Sequence, residues 1–239
     1  MKSIRLLLAV IGALLSVTIA SGGEDGIKLQ KGDRIVFLGD SITQQGAGPK
    51  GYVTLIKEFL GDKQKDLGIE VIGAGVSGNK VPDLQKRLER DVLKKNPTLV
   101  VIYIGINDVW HGENDPKKGT PKDKFEEGLT DIIKQIKAAK ANVLLCTPSV
   151  IGEKKESGNK LDAQLDEYSE ISRKVARETK VAFCDLRKEF QDYLKTHNDD
   201  NKEKGILTGD RVHLNETGNR LVASAILRAL GQSVPTKSP

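Results

Sequence analysis

The chain has 239 residues, of which 38% are hydrophobic, 4% aromatic and 30% charged, and its formal net charge is +5. That length fits a single α/β domain able to bury most of its apolar surface in one core. The charge excess is small and its lysines are interspersed with acids, which argues against nucleic acid as a partner, and three histidines (His111, His197, His213) without an H-E-x-x-H or paired C-x-x-C pattern form no visible metal-ligand cluster.

Met1 to Ala20 runs from Lys2 and Arg5 through the apolar Leu6 to Leu15 to the small-residue end Thr18-Ile19-Ala20, which is the pattern of a signal peptide over residues 1–20. The apolar run is short for a membrane span and no Cys follows it to carry a lipid, so the expected product is exported, periplasmic or secreted, with no stable membrane insertion after cleavage. Cleavage would remove Lys2, Arg5 and no acid, leaving an even weaker basic excess. Residues 21–33, with Gly22-Gly23-Glu24-Asp25-Gly26, read as a linker, 34–230 as one domain and 231–239 as a flexible tail.

Within the domain, apolar runs of strand length alternate with helix-period segments, the pattern of a parallel sheet covered on both faces. Strands are expected at Arg34 to Leu38, Ile69 to Ile72, Thr98 to Ile104, Asn142 to Thr147 and Val181 to Asp185. Helices are expected at Tyr52 to Asp66, Pro82 to Lys95, Lys122 to Lys140, Ala163 to Thr179 and Glu216 to Leu230. Thr120-Pro121 reads as the cap and first residue of the third helix, and Asn215 as the cap of the last. Leu221, Val222, Ala225, Ile226, Ala229 and Leu230 form the stripe that packs the last helix on the sheet. Two longer segments, Trp110 to Thr120 and Pro148 to Asp162, follow strands at their carboxyl ends, where open sheets of this kind bind ligands. Cys146 and Cys184 each lie near the end of an apolar run; two buried free thiols are expected, with a disulfide left open in an oxidising compartment.

Four short constellations carry the chemistry. Gly39-Asp40-Ser41 ends the first strand in a polar turn; alone, such a turn is most often a helix cap. Asp210-Arg211-Val212-His213 precedes the last helix, and an Asp three residues before a His can hold the imidazole's tautomer while its other nitrogen faces a serine. Gly105-Ile106-Asn107-Asp108 follows the third strand and offers the Asn107 amide as a donor to a developing oxyanion. Gly73-Ala74-Gly75-Val76-Ser77-Gly78 imitates the G-x-G-x-x-G of dinucleotide binding, but its glycines do not open a helix and no acid ends the next strand, so a nucleotide cofactor is not expected. A shared ion on Asp40, Asp210 and His213 is the remaining metal alternative.

These four pieces, in this order, resemble the blocks of the SGNH or GDSL hydrolase family over nearly the whole of 34–230. The resemblance implies a three-layer flavodoxin-like sandwich with a five-stranded parallel sheet and helices on both faces. It also implies ester hydrolysis without a cofactor or metal. Carried over, Ser41 is the nucleophile, His213 the base and Asp210 its orienter, while Ser41 and Gly78 backbone N–H groups and the Asn107 side chain form the oxyanion hole. The chain departs from the pattern in having Ile42 after Ser41, and Gly75 competes with Gly78 as donor. Asp40, Trp110 and His111 are candidate pocket residues. By family analogy the substrate is a small-molecule or glycan ester, with removal of acetyl groups from polysaccharide first; a short-chain carboxylesterase or lysophospholipase is the alternative. A non-catalytic glycan-binding module is the reading of a different class, and the joint presence of Ser41, Asn107, Asp210 and His213 speaks against it. The sequon Asn215-Glu216-Thr217 lies two residues from His213, where a glycan would crowd the site, and this favours a bacterial source.

Overall fold

A computed structural model describes residues 27–234; the expected signal peptide and the last five residues of the expected tail lie outside it. Five strands form one parallel sheet: β1 (Arg34–Gly39), β2 (Glu70–Gly75), β3 (Leu99–Tyr103), β4 (Asn142–Cys146) and β5 (Ala182–Cys184), in the order β2-β1-β3-β4-β5. β3 is buried at every position, and β1 and β4 are buried at all but their first residues, because helices cover both faces. This is why they read as unbroken apolar runs rather than as alternating ones. β2 begins one residue later than expected and runs three further, through Gly73-Ala74-Gly75, paired in register with Phe37-Leu38-Gly39. Pairing with β1 overrides the poor strand propensity of these small residues.

Eight α-helices complete the domain: α1 (Ser41–Gly46), α2 (Tyr52–Lys63), α3 (Val81–Asp91), α4 (Ile106–Trp110), α5 (Lys122–Ala138), α6 (Asp162–Thr179), α7 (Leu186–His197) and α8 (Glu216–Ala229). α2 packs on α8 and α8 on α7, while α3, α5 and α6 pack side by side as a second layer. Two expected helices are shorter than their apolar pattern. The first ends at Lys63 and tightens into a 3₁₀ turn closed by Gly68, and the second ends at Asp91 with a 3₁₀ turn closed by Asn96; both closing residues are left-handed. Thr120 does not cap α5: the helix starts at Lys122, and the Phe125 N–H reaches the Pro121 carbonyl. Thr120 instead places its carbonyl under the Tyr168 hydroxyl. Asn215 caps α8 as expected, its Oδ1 accepting the Gly218 N–H at 3.0 Å.

α7 was not expected from sequence. Asp185, expected as the end of β5, caps it by accepting the Lys188 N–H at 3.1 Å, and Leu186, Phe190 and Leu194 supply its buried stripe. His197 ends α7 exposed, stacked on Tyr193 with ring centroids 4.0 Å apart. Residues 21–26 of the expected linker lie outside the described residues; its described part, 27–33, packs on the domain, with Leu29 buried and the Gly32 N–H donating to the Leu67 carbonyl at 2.7 Å. Beyond Leu230, Gln232 accepts from Gln64 at 2.8 Å. Cys146 and Cys184 are buried free thiols on register-paired positions of β4 and β5. Among the described residues, no helix is long and apolar enough to cross a membrane.

Candidate active site

The strand order reverses direction between β1 and β3, and in such sheets the carboxyl edge at that point opens a crevice. Ser41 follows β1 and Asn107 follows β3, so the topology alone brings them to one edge. Ser41 is the first residue of α1, and Asp40 caps that helix by accepting the Ile42 N–H at 2.9 Å. A first-turn N–H has no acceptor within its own helix, so the Ser41 amide is free to face a ligand.

Ser41 Oγ lies 2.9 Å from His213 Nε2, and His213 Nδ1 lies 2.7 Å from Asp210 Oδ2. Asp210 Oδ1 accepts the Val212 and His213 N–H groups at 3.0 and 2.8 Å, so the carboxylate holds both the ring and the backbone of its partner. Partial burial pushes the Asp210 carboxyl up, but the hydrogen bonds from the His213 side chain and the two backbone amides outweigh it and hold the group below the usual carboxylate range.

The two glycines that compete in the sequence have different surroundings. A Cβ on Gly75 would lie 2.1 Å from the Gln44 N, so this glycine permits the close approach of β2 and α1. Gly78 sits on the exposed loop beyond, at φ +76°, where its nearest neighbour would be the His111 ring at 4.0 Å. Asn107 is buried, and its amide donates to the Asn79 carbonyl at 3.1 Å and lies 3.5 Å from Asp40 Oδ2. It thus bridges the glycine loop and the end of β1 that leads into Ser41.

Asp40 does not line the open surface. It is only 2% exposed, and burial, reinforced by the nearby Asp108 carboxyl, raises its pKa to about 7. Asp108 is fully buried, accepts the Val81 N–H at the start of α3 at 3.1 Å, and is raised by burial to about 6. Trp110 ends α4 and meets the His213 ring edge-on at 6.4 Å, with His111 beside it. No group of three or more His, Cys, Asp or Glu side chains placed to hold a metal ion occurs among the described residues.

Two residues absent from the sequence reading support this arrangement. Arg87 on α3 is 6% exposed and donates to the Gly39 carbonyl at 2.7 Å, the Ala74 carbonyl at 2.9 Å and Asn79 Oδ1 at 2.6 Å, which joins the ends of β1 and β2 to the glycine loop. Glu153, in the segment after β4, is fully buried. It accepts the consecutive N–H groups of Ile206, Leu207 and Thr208 at 2.7, 2.8 and 2.5 Å, and the Thr208 hydroxyl at 2.7 Å. Immediately beyond, the Gly209 N–H donates to the His213 carbonyl at 2.9 Å and Thr208 pairs with Leu214. The neighbouring Gly152 N–H also grips the Arg211 carbonyl at 2.8 Å. Glu153 therefore clamps the base of the loop that carries Asp210 and His213. The only sequence hint was an acid inside a segment suspected of forming the pocket wall.

Residues 37–221 match the GDSL-like lipase/acylhydrolase family. An acetylxylan esterase from Geobacillus stearothermophilus is 34% identical over 222 residues, covering 86% of this chain and 97% of that protein. A rat isoamyl acetate-hydrolyzing esterase 1 homolog is 28% identical, covering 79% of this chain and 78% of its own. Among solved structures, the acetyl xylan esterase AlAXEase superposes with a TM-score of 0.80 at 46% identity, covering 82% of this chain and 99% of its own. The structure of the Geobacillus enzyme superposes with a TM-score of 0.78 at 31% identity, covering 88% and 100%. Catalytic mutants of that enzyme, each with one Ser, Asp or His replaced by Ala, are also among the similar structures.

Proposed function

This chain belongs to the GDSL-like lipase/acylhydrolase family and is an ester hydrolase, and from that premise we propose that it removes acetyl groups from carbohydrate by a serine mechanism. The observation that carries the mechanism is the unbroken chain from Ser41 Oγ through His213 to Asp210, at 2.9 and 2.7 Å. The Ser41 hydroxyl donates to His213 Nε2 and, as it attacks the ester carbonyl, passes its proton there; Asp210 accepts from Nδ1–H and stabilises the imidazolium so formed. The carbonyl oxygen becomes an oxyanion, for which the Ser41 and Gly78 N–H groups and the Asn107 amide are the donors at hand. His213 then protonates the departing alcohol. Water, deprotonated by the same nitrogen, releases the acyl group and restores Ser41.

The acyl preference rests on the relatives. The names of the carbohydrate-directed and the small-ester relatives share acetate and differ in the alcohol. Hydrolysis of small acetate esters such as isoamyl acetate is accordingly the second reading. Export is inferred from the leader pattern of Met1 to Ala20. The test is acetate release from acetylated xylo-oligosaccharides and from nitrophenyl acetate, butyrate and octanoate, by the chain from Ser21 onward and by Ser41→Ala. Cleavage of acetates lost in Ser41→Ala and insensitive to a chelator is expected. Cleavage surviving Ser41→Ala would overturn the mechanism, and refusal of acetylated sugars with retention of small acetates would leave the second reading.

A further inference from the structure

A groove of about 730 Å³ opens beside the catalytic histidine, between the start of α3 and the segment after α4. Trp110 connects the two: its ring lines the groove and also meets the His213 ring at 6.4 Å. His111 faces Gly78 from the same wall. Trp110 and His111 thus form the wall between the groove and the Ser41–His213 pair.

The groove's lining carries more positive than negative charge. Some exposed lysines on α5, α6 and α7 sit in ion pairs, such as Lys124 with Glu127, Lys174 with Glu126 and Lys188 with Asp192. The groove holds Lys80, Lys117 and Lys118 against one carboxylate, Asp115, and none of these three lysines makes an ion pair among the described residues. The Lys80 Nζ donates to the Lys118 carbonyl at 2.7 Å, which orients the ammonium, and the nearby Asp83 carboxylate is itself paired with Lys86 at 3.0 Å. Asp115 is partly occupied in capping the turn Pro116–Lys118, where it accepts the Lys117 N–H at 3.1 Å. Burial and then the Lys80 charge push the His111 pKa down, which leaves it a neutral hydrogen-bonding edge rather than a further cation. An indole face, a neutral imidazole and ammonium groups in excess over carboxylates suit a ligand that is a sugar on one side and an anion on the other.

Building on the deacetylase reading above, we propose that this groove is a subsite for a carboxylate-bearing sugar, a uronic acid unit of the same chain whose neighbouring acetyl ester reaches Ser41. The enzyme then works preferentially on acidic stretches of an acetylated polysaccharide. A small neutral acetate gains nothing from the groove.

Binding tests this without turnover. Ser41→Ala protein is titrated calorimetrically with xylo-oligosaccharides of equal length, with and without a uronic acid substituent, at low ionic strength, beside the same protein carrying Lys117→Gln and Lys118→Gln. The acidic ligand is expected to bind about tenfold tighter, the preference to fall steeply with added salt, and the double substitution to bring the two ligands together by weakening only the acidic one. Equal affinities in the parent, no binding of either ligand, or a preference that survives both substitutions would overturn the assignment. The deacetylase reading stands or falls separately, on acetate release by the wild-type chain.

Discussion

Replacing Glu153 separates the clamp from the chemistry. Glu153→Gln keeps one acceptor for the Leu207, Thr208 and Thr208-hydroxyl donors and turns the other into an amide facing the Ile206 N–H. One buried donor left without an acceptor costs about 1–3 kcal/mol. For a domain of this size that is a melting-point loss of about 3–10 °C. Glu153→Ala strands all four donors and is expected to cost about 3–5 kcal/mol, as loss of one partner of a buried charged network does. The loop held by Glu153 sets the 2.9 Å separation of Ser41 and His213, and a shift of about 1 Å there lowers kcat by roughly 10²-fold. KM should hardly move, because Glu153 lines none of the groove. The assay is steady-state kinetics on nitrophenyl acetate at a temperature well below each variant's melting point, with melts recorded in parallel. A folded Glu153→Ala protein with kcat within about twofold of wild type would refute the positioning argument; so would a loss of rate accounted for by the unfolded fraction alone.

Asp210→Asn should leave the fold intact and lower kcat by about 10³- to 10⁴-fold through loss of the tautomer and of imidazolium stabilisation, measured on the same substrate. Asp40 has its folded pKa raised to about 7 by burial, so the folded state binds the extra proton and stability contributed there is present at low pH and lost as pH rises from about 4 to about 7. Asp40→Asn can still cap α1 and removes that titration; denaturant melts at pH 5 and pH 8 should show a smaller decline for the variant, and parallel declines would disprove the link. Gly75→Ala forces a Cβ to 2.1 Å from the Gln44 N and should destabilise by about 1–3 kcal/mol or more, since backbone must yield; a melting point equal to wild type would contradict the packing described.

What the sequence made legible follows from where each signal is local. β1, β3 and β4 stand out because burial on both faces leaves β3 wholly apolar and β1 and β4 apolar after their first residues, and the Asp210-x-x-His213 pair is legible because both members share one short loop. The continuation of β2 through Gly73-Ala74-Gly75 is legible only once β1 is beside it. α7 carries a helical stripe of Leu186, Phe190 and Leu194, but its capping Asp185 reads equally well as a strand end. Asp40 has the composition of a pocket acid and lies beneath the surface instead. Arg87 gave no signal and Glu153 only its place in a suspected pocket-wall segment, since a charged residue in a polar stretch reads as solvated. Only the fold reveals that the donors of Glu153 come from more than fifty positions away.

The bridging guanidinium of Arg87 has a mechanical consequence. It ties the serine strand, the neighbouring strand and the glycine loop together, whereas the loop that carries the histidine is fastened by Glu153. The Ser41–His213 hydrogen bond joins these two separately anchored segments. Loosening the Glu153 anchor alone would therefore silence the enzyme while its circular dichroism still looked native.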